Sequence, residues 1–181
     1  MDVVSHALWG RVLTRKRVNP YLAMMIGVMP DLIAFIPQSI SNMVSGVGSK
    51  RVTVDSVTSD MPLAWDIYQW SHSLFIAGIT FALLWWFFNS NGEISLGTTR
   101  SNSARNDAFF LVLPWIWHIL LDIPGHTIQF FPTPFLHPFS DFMIDGVRWS
   151  TPWFFFPQII LVFVLTYYVH RNEKKEIYVE Q

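Results

Sequence analysis

Cysteine does not occur anywhere in the 181 residues, which excludes a disulfide framework and thiolate ligands and leaves nitrogen and oxygen donors for any metal. Charge is scarce too. Only 14% of residues are Asp, Glu, Lys or Arg and the formal net charge is −1. The basic residues fall in short clusters and not in a stripe, so nucleic acid is not an expected partner. What is present is apolar: 51% of the chain is hydrophobic, with 9 Trp and 16 Phe, and the mean hydropathy is +0.33. Soluble domains of this length rarely look like that. Many of the aromatic residues sit beside prolines or at the ends of apolar runs, the pattern of helices crossing a membrane interface. The first ten residues lack the basic start and long apolar run of a cleavable leader, so the N-terminus is expected to stay on the mature protein.

Between Asp66 and Glu93 lie 26 residues without a charged side chain, and between Arg148 and Arg171 another 22. Both exceed the ~20 residues that a bilayer core requires. Tyr21 to Ile40 and Phe109 to Ile123 are similarly apolar but carry Asp31 in the first and His118 with Asp122 in the second. Asn42 to Trp65 and Asn89 to Asn106 read as polar loops. The expected fold is therefore all-α: one membrane-embedded domain, residues 1–181, an integral membrane helical bundle of about four spanning helices. A short N-terminal helix, Asp2 to Leu13, is too short to span.

Nine of the twelve basic residues share one side of this topology: Arg11, Arg15, Lys16 and Arg17 before the first span, Arg100 and Arg105 between the second and third, and Arg171, Lys174 and Lys175 after the fourth. The positive-inside rule makes that side cytoplasmic and places Lys50, Arg51 and Arg148 outside. His6 then conflicts with the other polar candidates, lying near the cytoplasmic arginines while His72 and Asp122 lie toward the outer side. A re-entrant first helix would reconcile them.

His118 and Asp122 stand four residues apart, on one face of a helix. An aspartate in mid-span costs about 2.5 to 3.5 kcal/mol on insertion scales, so it needs a compensating partner, which a divalent cation would be. Each candidate also has a plain alternative. His118 and Asp122 could pair with each other or cap their helix; Asp31, after Pro30, could cap a following helix; Ser71 could cap the span that His72 opens; and His6 alone says little. Their convergence is the stronger argument, because four separate apolar segments each contribute a ligand type. Imidazole and carboxylate donors suit zinc, with manganese, iron or nickel also compatible, and five candidates could serve one ion or two.

Taken together, His6 ahead of a glycine, Pro30-Asp31, His72-Ser73 and the His118 to Asp122 pair resemble the family of membrane-bound metal-dependent hydrolases of bacteria and archaea, one branch of which is a LexA-regulated inner-membrane group. The likeness covers most of the chain. It implies that His6, Asp31, His72, His118 and Asp122 are the metal ligands of a helical hydrolase in a prokaryotic inner membrane, distantly similar to zinc-dependent phospholipases C. A metal there would activate water for attack on an ester or phosphoester, and because a site in the bilayer is reached laterally by amphiphiles, a lipid-like or lipid-linked molecule is the expected substrate and the bilayer the partner.

Asp31, His126 and Asp141 are the candidates for catalytic work. His126 lies eight residues after His118, on the same side if the helix continued, but Pro124-Gly125 is expected to break it, which leaves His126 as a sixth ligand or a loop histidine. His137 and Asp141 repeat the four-residue separation within a proline-rich loop. His170, beside Arg171, reads as an interfacial anchor. Two other classes fit the same residues: a transporter component that relays protons or metal ions, and a non-catalytic scaffold around a structural metal.

Overall fold

The computed structural model describes residues 2–47, 52–53, 55–91 and 103–179. Lys50, Arg51 and Arg100, which entered the orientation argument, lie outside them. The described residues form six α-helices: α1 (Val3–Leu13), α2 (Pro20–Val44), α3 (Pro62–Ser71), α4 (Leu74–Asn91), α5 (Ala104–Gly125) and α6 (Pro152–Val179). A single turn of 3-10 helix, Thr58–Asp60, precedes α3. Among the described residues the only β-type pairing is an isolated Thr127–Phe130 bridge.

Three helices are long and apolar enough to cross a membrane: Pro20–Val44, Ala104–Gly125 and Pro152–Glu173. The fourth expected span is broken. α3 and α4 pass the same test only as a pair, bent by 52° at the His72-Ser73 junction. Polar groups freed at the break find partners: the Trp115 indole donates to the Ser71 carbonyl (2.7 Å) and the Ile76 amide donates to the Ser73 hydroxyl (3.3 Å). The proline-rich loop supplies the rest, since Leu74 N–H donates to the Phe135 carbonyl (3.1 Å) and the Ser73 hydroxyl to the His137 carbonyl (2.5 Å). Irregular backbone survives in an apolar setting only when satisfied in this way. Ser73, not Ser71, therefore caps the second half of the broken pair.

Asn19 opens α2 by accepting from the amides of Tyr21 and Leu22, with Pro20 at a position where a missing donor costs nothing. The helix then continues through Pro30 and Pro37. Asp31, whose place after a proline suggested a cap, instead sits in mid-helix, because one lost backbone bond does not outweigh the apolar packing on either side.

Asp2 caps α1, accepting from the Ser5 amide at 2.9 Å and the Ser5 hydroxyl at 2.5 Å. At 1.5 Å rise per residue α1 is roughly 16 Å long, too short to span. It packs against α2, α5 and α6. At its start Gln158 of α6 donates to Asp2 (3.4 Å) and to the Ser5 hydroxyl (3.1 Å), and at its end Arg11 meets Glu173 at 2.6 Å. α1 thus runs alongside α6 within the bundle. That position removes the conflict over His6, which reaches the level of Asp122 although Arg11 stays at the basic end.

The crossing of α1 and α2 is backbone against backbone. A Cβ at Gly27 would stand 2.5 Å from the His6 carbonyl oxygen, and one at Gly10 would collide with the Ala23 carbonyl. Gly78 on α4 provides the contrast, since a Cβ there meets nothing within 4 Å. Gly27→Ala should destabilise the detergent-solubilised protein by about 1 to 3 kcal/mol as an overpacked contact. Gly78→Ala should be neutral or stabilising by up to ~1 kcal/mol. Thermal unfolding of both variants checks the crossing, and equal effects would contradict it.

Candidate metal centre

Asp31 comes from the middle of α2, His72 from the α3–α4 break, and His118 and Asp122 from successive turns of α5. One ligand atom from each lies within 4.8 Å of every other, and all four residues are buried. His72 Nε2 is 3.0 Å from His118 Nε2, 3.6 Å from Asp31 Oδ1 and 3.5 Å from Asp122 Oδ2. His118 Nε2 is 3.7 Å from Asp31 Oδ1 and 3.2 Å from Asp122 Oδ2. A tetrahedral ion with donors at 2.0 to 2.1 Å separates those donors by roughly 3.3 Å, so these spacings fit its edges.

The protonation pattern points the same way. His118 Nδ1 is 2.7 Å from the Gly27 carbonyl, which can only accept, so the ring N–H lies on Nδ1. The Ser71 hydroxyl lies 3.3 Å from the Tyr68 carbonyl and 3.0 Å from His72 Nδ1; donating to the carbonyl, it accepts from Nδ1 and leaves His72 Nε2 available to a metal. With each Nδ1 engaged from behind, both imidazoles direct Nε2 toward the two carboxylates. A divalent cation between the two imidazole nitrogens and the two buried carboxylates would satisfy all four. Two aspartates and one divalent ion balance in charge.

Two further histidines reach the other oxygen of Asp122. His6 Nε2 stands 3.2 Å from Oδ1 and His126 Nε2 3.6 Å from it. α5 runs on through Pro124 to Gly125, so the expected break does not remove His126, whose backbone is extended just past the helix end. Its Nδ1 donates to the Phe131 carbonyl at 2.6 Å. That carbonyl is aimed by a backbone kink, since Phe131 has φ of 50°, a left-handed conformation rare for a bulky residue. Packing of Phe131 against Phe35, Trp65 and Tyr68 holds it there. Burial lowers His126 from 6.5 to about 4. Burial likewise lowers His6 to about 4.

Asp31 and His126 also line a cavity of about 900 Å³, together with Phe35, Met61, Phe131 and Trp149. Asp141 is not brought to the cluster. It is exposed and lines a separate cleft with Thr58, Trp65 and Phe142, so the catalytic part expected of it is not carried further. His137 packs edge-on against Trp70 with ring centres 4.6 Å apart, and His170 is exposed. Sequence reasoning missed the groups that orient the imidazoles: the Ser71 hydroxyl, the Gly27 and Phe131 carbonyls, and Tyr68, which stacks on His72 at 3.5 Å. Only Ser71 had a visible signal, adjacency to His72, and that equally suggested a cap.

The fold and site define an all-helical chain with a buried Asp-His-His-Asp group suited to a divalent metal. No protein-family model, curated protein or solved structure matches the chain, so the site itself carries the functional argument. Ser71→Ala should leave helicity unchanged and weaken metal affinity about 10- to 100-fold, the usual cost of losing a group that orients a ligating histidine. Competition titration against a chelator of known affinity measures it, and unchanged affinity would contradict the assigned His72 orientation.

Proposed function

We propose that this chain is an integral membrane, metal-dependent hydrolase of the kind its ordered residues resemble, with zinc as the ion and a prokaryotic inner membrane as its location. The observation that carries the reading is the set of four lone-pair donors from Asp31, His72, His118 and Asp122, spaced as the edges of one coordination polyhedron. A divalent ion held there supplies Lewis-acid chemistry, lowering the pKa of water and polarising a carbonyl or phosphoryl oxygen. Asp31 and His126 are the cluster residues that also line the cavity, so they are placed to take up or return a proton during attack on an ester or phosphoester.

Membrane residence is supported by the three long apolar helices and by the outward face of α6, where Trp153, Phe156, Ile160, Phe163 and Val164 are exposed. An exposed apolar surface of that kind belongs in lipid or against a partner. Arg11, Arg15 and Arg17 around the α1–α2 connection, Arg105 at the start of α5 and Arg171 late in α6 fall at one end of the bundle, which the charge rule makes cytoplasmic. The cavity lies at the opposite end, beside the loops. A mainly apolar cavity in such a bundle favours a lipid or lipid-linked substrate.

One observation favours a second reading. Four protein donors fill a tetrahedron, the pattern of structural ions. Metal-stripped and zinc-reloaded protein, assayed in mixed micelles against nitrophenyl esters, phosphodiesters and phospholipids, separates the two. Hydrolysis should require the metal and fall at least ~100-fold in Asp31→Asn, the scale of a lost acid-base group. Full zinc occupancy without turnover on any of these substrates would leave a structural ion and contradict the hydrolase.

A further inference from the structure

The backbone of the proline-rich loop is closed on itself and on the α3–α4 break. Four consecutive carbonyls, Pro134 to His137, each accept a hydrogen bond: from the His137 amide (3.0 Å), the Leu74 amide (3.1 Å), the Phe139 amide (3.0 Å) and the Ser73 hydroxyl (2.5 Å). Pro134 and Pro138 have no N–H to satisfy, and the Phe142 amide donates to the Ser140 hydroxyl at 3.1 Å. The side chains are arranged the opposite way from those of a loop that faces water. Leu136, Phe139, Phe142 and Ile144 are exposed by 40%, 73%, 60% and 41%. Residues 132–144 include one carboxylate, Asp141, and no Lys, Arg or Glu.

We propose that this loop is seated in the bilayer, its backbone at the headgroup–acyl boundary and its Leu136, Phe139 and Phe142 side chains among the acyl chains of the leaflet at the loop end of the bundle. It rests on the membrane residence read above and adds a lipid contact that the apolar spans do not include.

Position, continuity and backbone chemistry select lipid as the occupant. At 1.5 Å per residue α4 is roughly 27 Å long, close to the ~30 Å thickness of a hydrocarbon layer, so the start of α4, where the loop is hydrogen-bonded, falls at one boundary of that layer. Phe139 meets Phe75, itself an exposed side chain in the first turn of α4, edge-on with ring centres 4.6 Å apart, so loop and span form one apolar surface. Irregular backbone is excluded from the midplane of a bilayer, but carbonyls already satisfied lower the cost of bringing it to the boundary. Asp141 sets the same limit on depth, since a carboxylate beside Phe142 suits shallow insertion. The loop also closes the break next to His72, so one element faces both the leaflet and the metal centre.

The chain contains no cysteine, so single introduced cysteines each report one position. Nitroxide labels on Phe139→Cys and Phe142→Cys, in phosphatidylcholine vesicles, are read by their collisions with oxygen, which concentrates in lipid, and with a water-soluble nickel chelate. Ile160→Cys on the exposed face of α6 and Asp55→Cys serve as lipid and water references. Oxygen should dominate at Phe139 and Phe142 as it does at Ile160, with the reverse at Asp55. The two loop variants alter exposed side chains, and one that fails to fold leaves the other to decide. Nickel-dominated collisions at a folded loop variant, with oxygen still dominant at Ile160, overturn the loop's seat in lipid and leave the spans standing. Nickel dominance at Ile160 as well contradicts membrane residence itself. Dipolar broadening of the Phe139 label that disappears on dilution with unlabelled chains makes a second copy the occupant and also overturns the proposal.

Discussion

Asp31 and Asp122 are two carboxylates buried in an apolar helical bundle, and the imidazoles that meet them turn their Nε2 atoms toward them. Burying such groups costs several kcal/mol each unless positive charge lies between them. Much of the fold can be understood as the means of satisfying that requirement. α5 supplies Asp122 and His118 on one face, α2 supplies Asp31 from mid-helix, and the break between α3 and α4 turns His72 inward. α1 slides beside α2 on a glycine contact so that His6 arrives at the same point.

The orientation of three of the four imidazoles, His72, His118 and His126, is fixed from behind. Gly27, Ser71 and Phe131 each engage an Nδ1 and so direct an Nε2 into the centre. Two of these three partners are backbone carbonyls, which ties metal geometry to helix crossing and to the kink at Phe131. A substitution that shifts α1 against α2 would therefore move the His118 partner as well as His6. The cavity reaches this centre through Asp31 and His126, the pair that stands between buried charge and a substrate.

Much of the architecture was legible in the sequence because uncharged runs of bilayer length are a strong signal. The convergence of His6, Asp31, His72, His118 and Asp122 was legible too, because ionisable groups in apolar helices are rare enough to need one another. Hydropathy sees the 26-residue run as continuous and cannot register that the proline-rich loop inserts its Phe135 and His137 carbonyls into a break. The reading of Asp31 as a cap failed since proline is a weaker helix breaker where packing is strong. The helix does end at Gly125, as Pro124-Gly125 suggested, and His126 reaches Asp122 from the extended backbone just beyond it. Asp141 shares with His137 the spacing that marks His118 and Asp122, but in a loop that spacing carries no common face.

X-ray absorption at the zinc edge of the loaded protein addresses the central claim most directly, since it reports the ion's neighbours without reference to activity. The account predicts nitrogen and oxygen donors at about 2.0 to 2.1 Å with the outer-shell scattering of imidazole rings, lost together with the bound zinc in Asp122→Asn. An ion surrounded by oxygen alone, with no imidazole signature, would contradict the convergence of His72 and His118 on a metal.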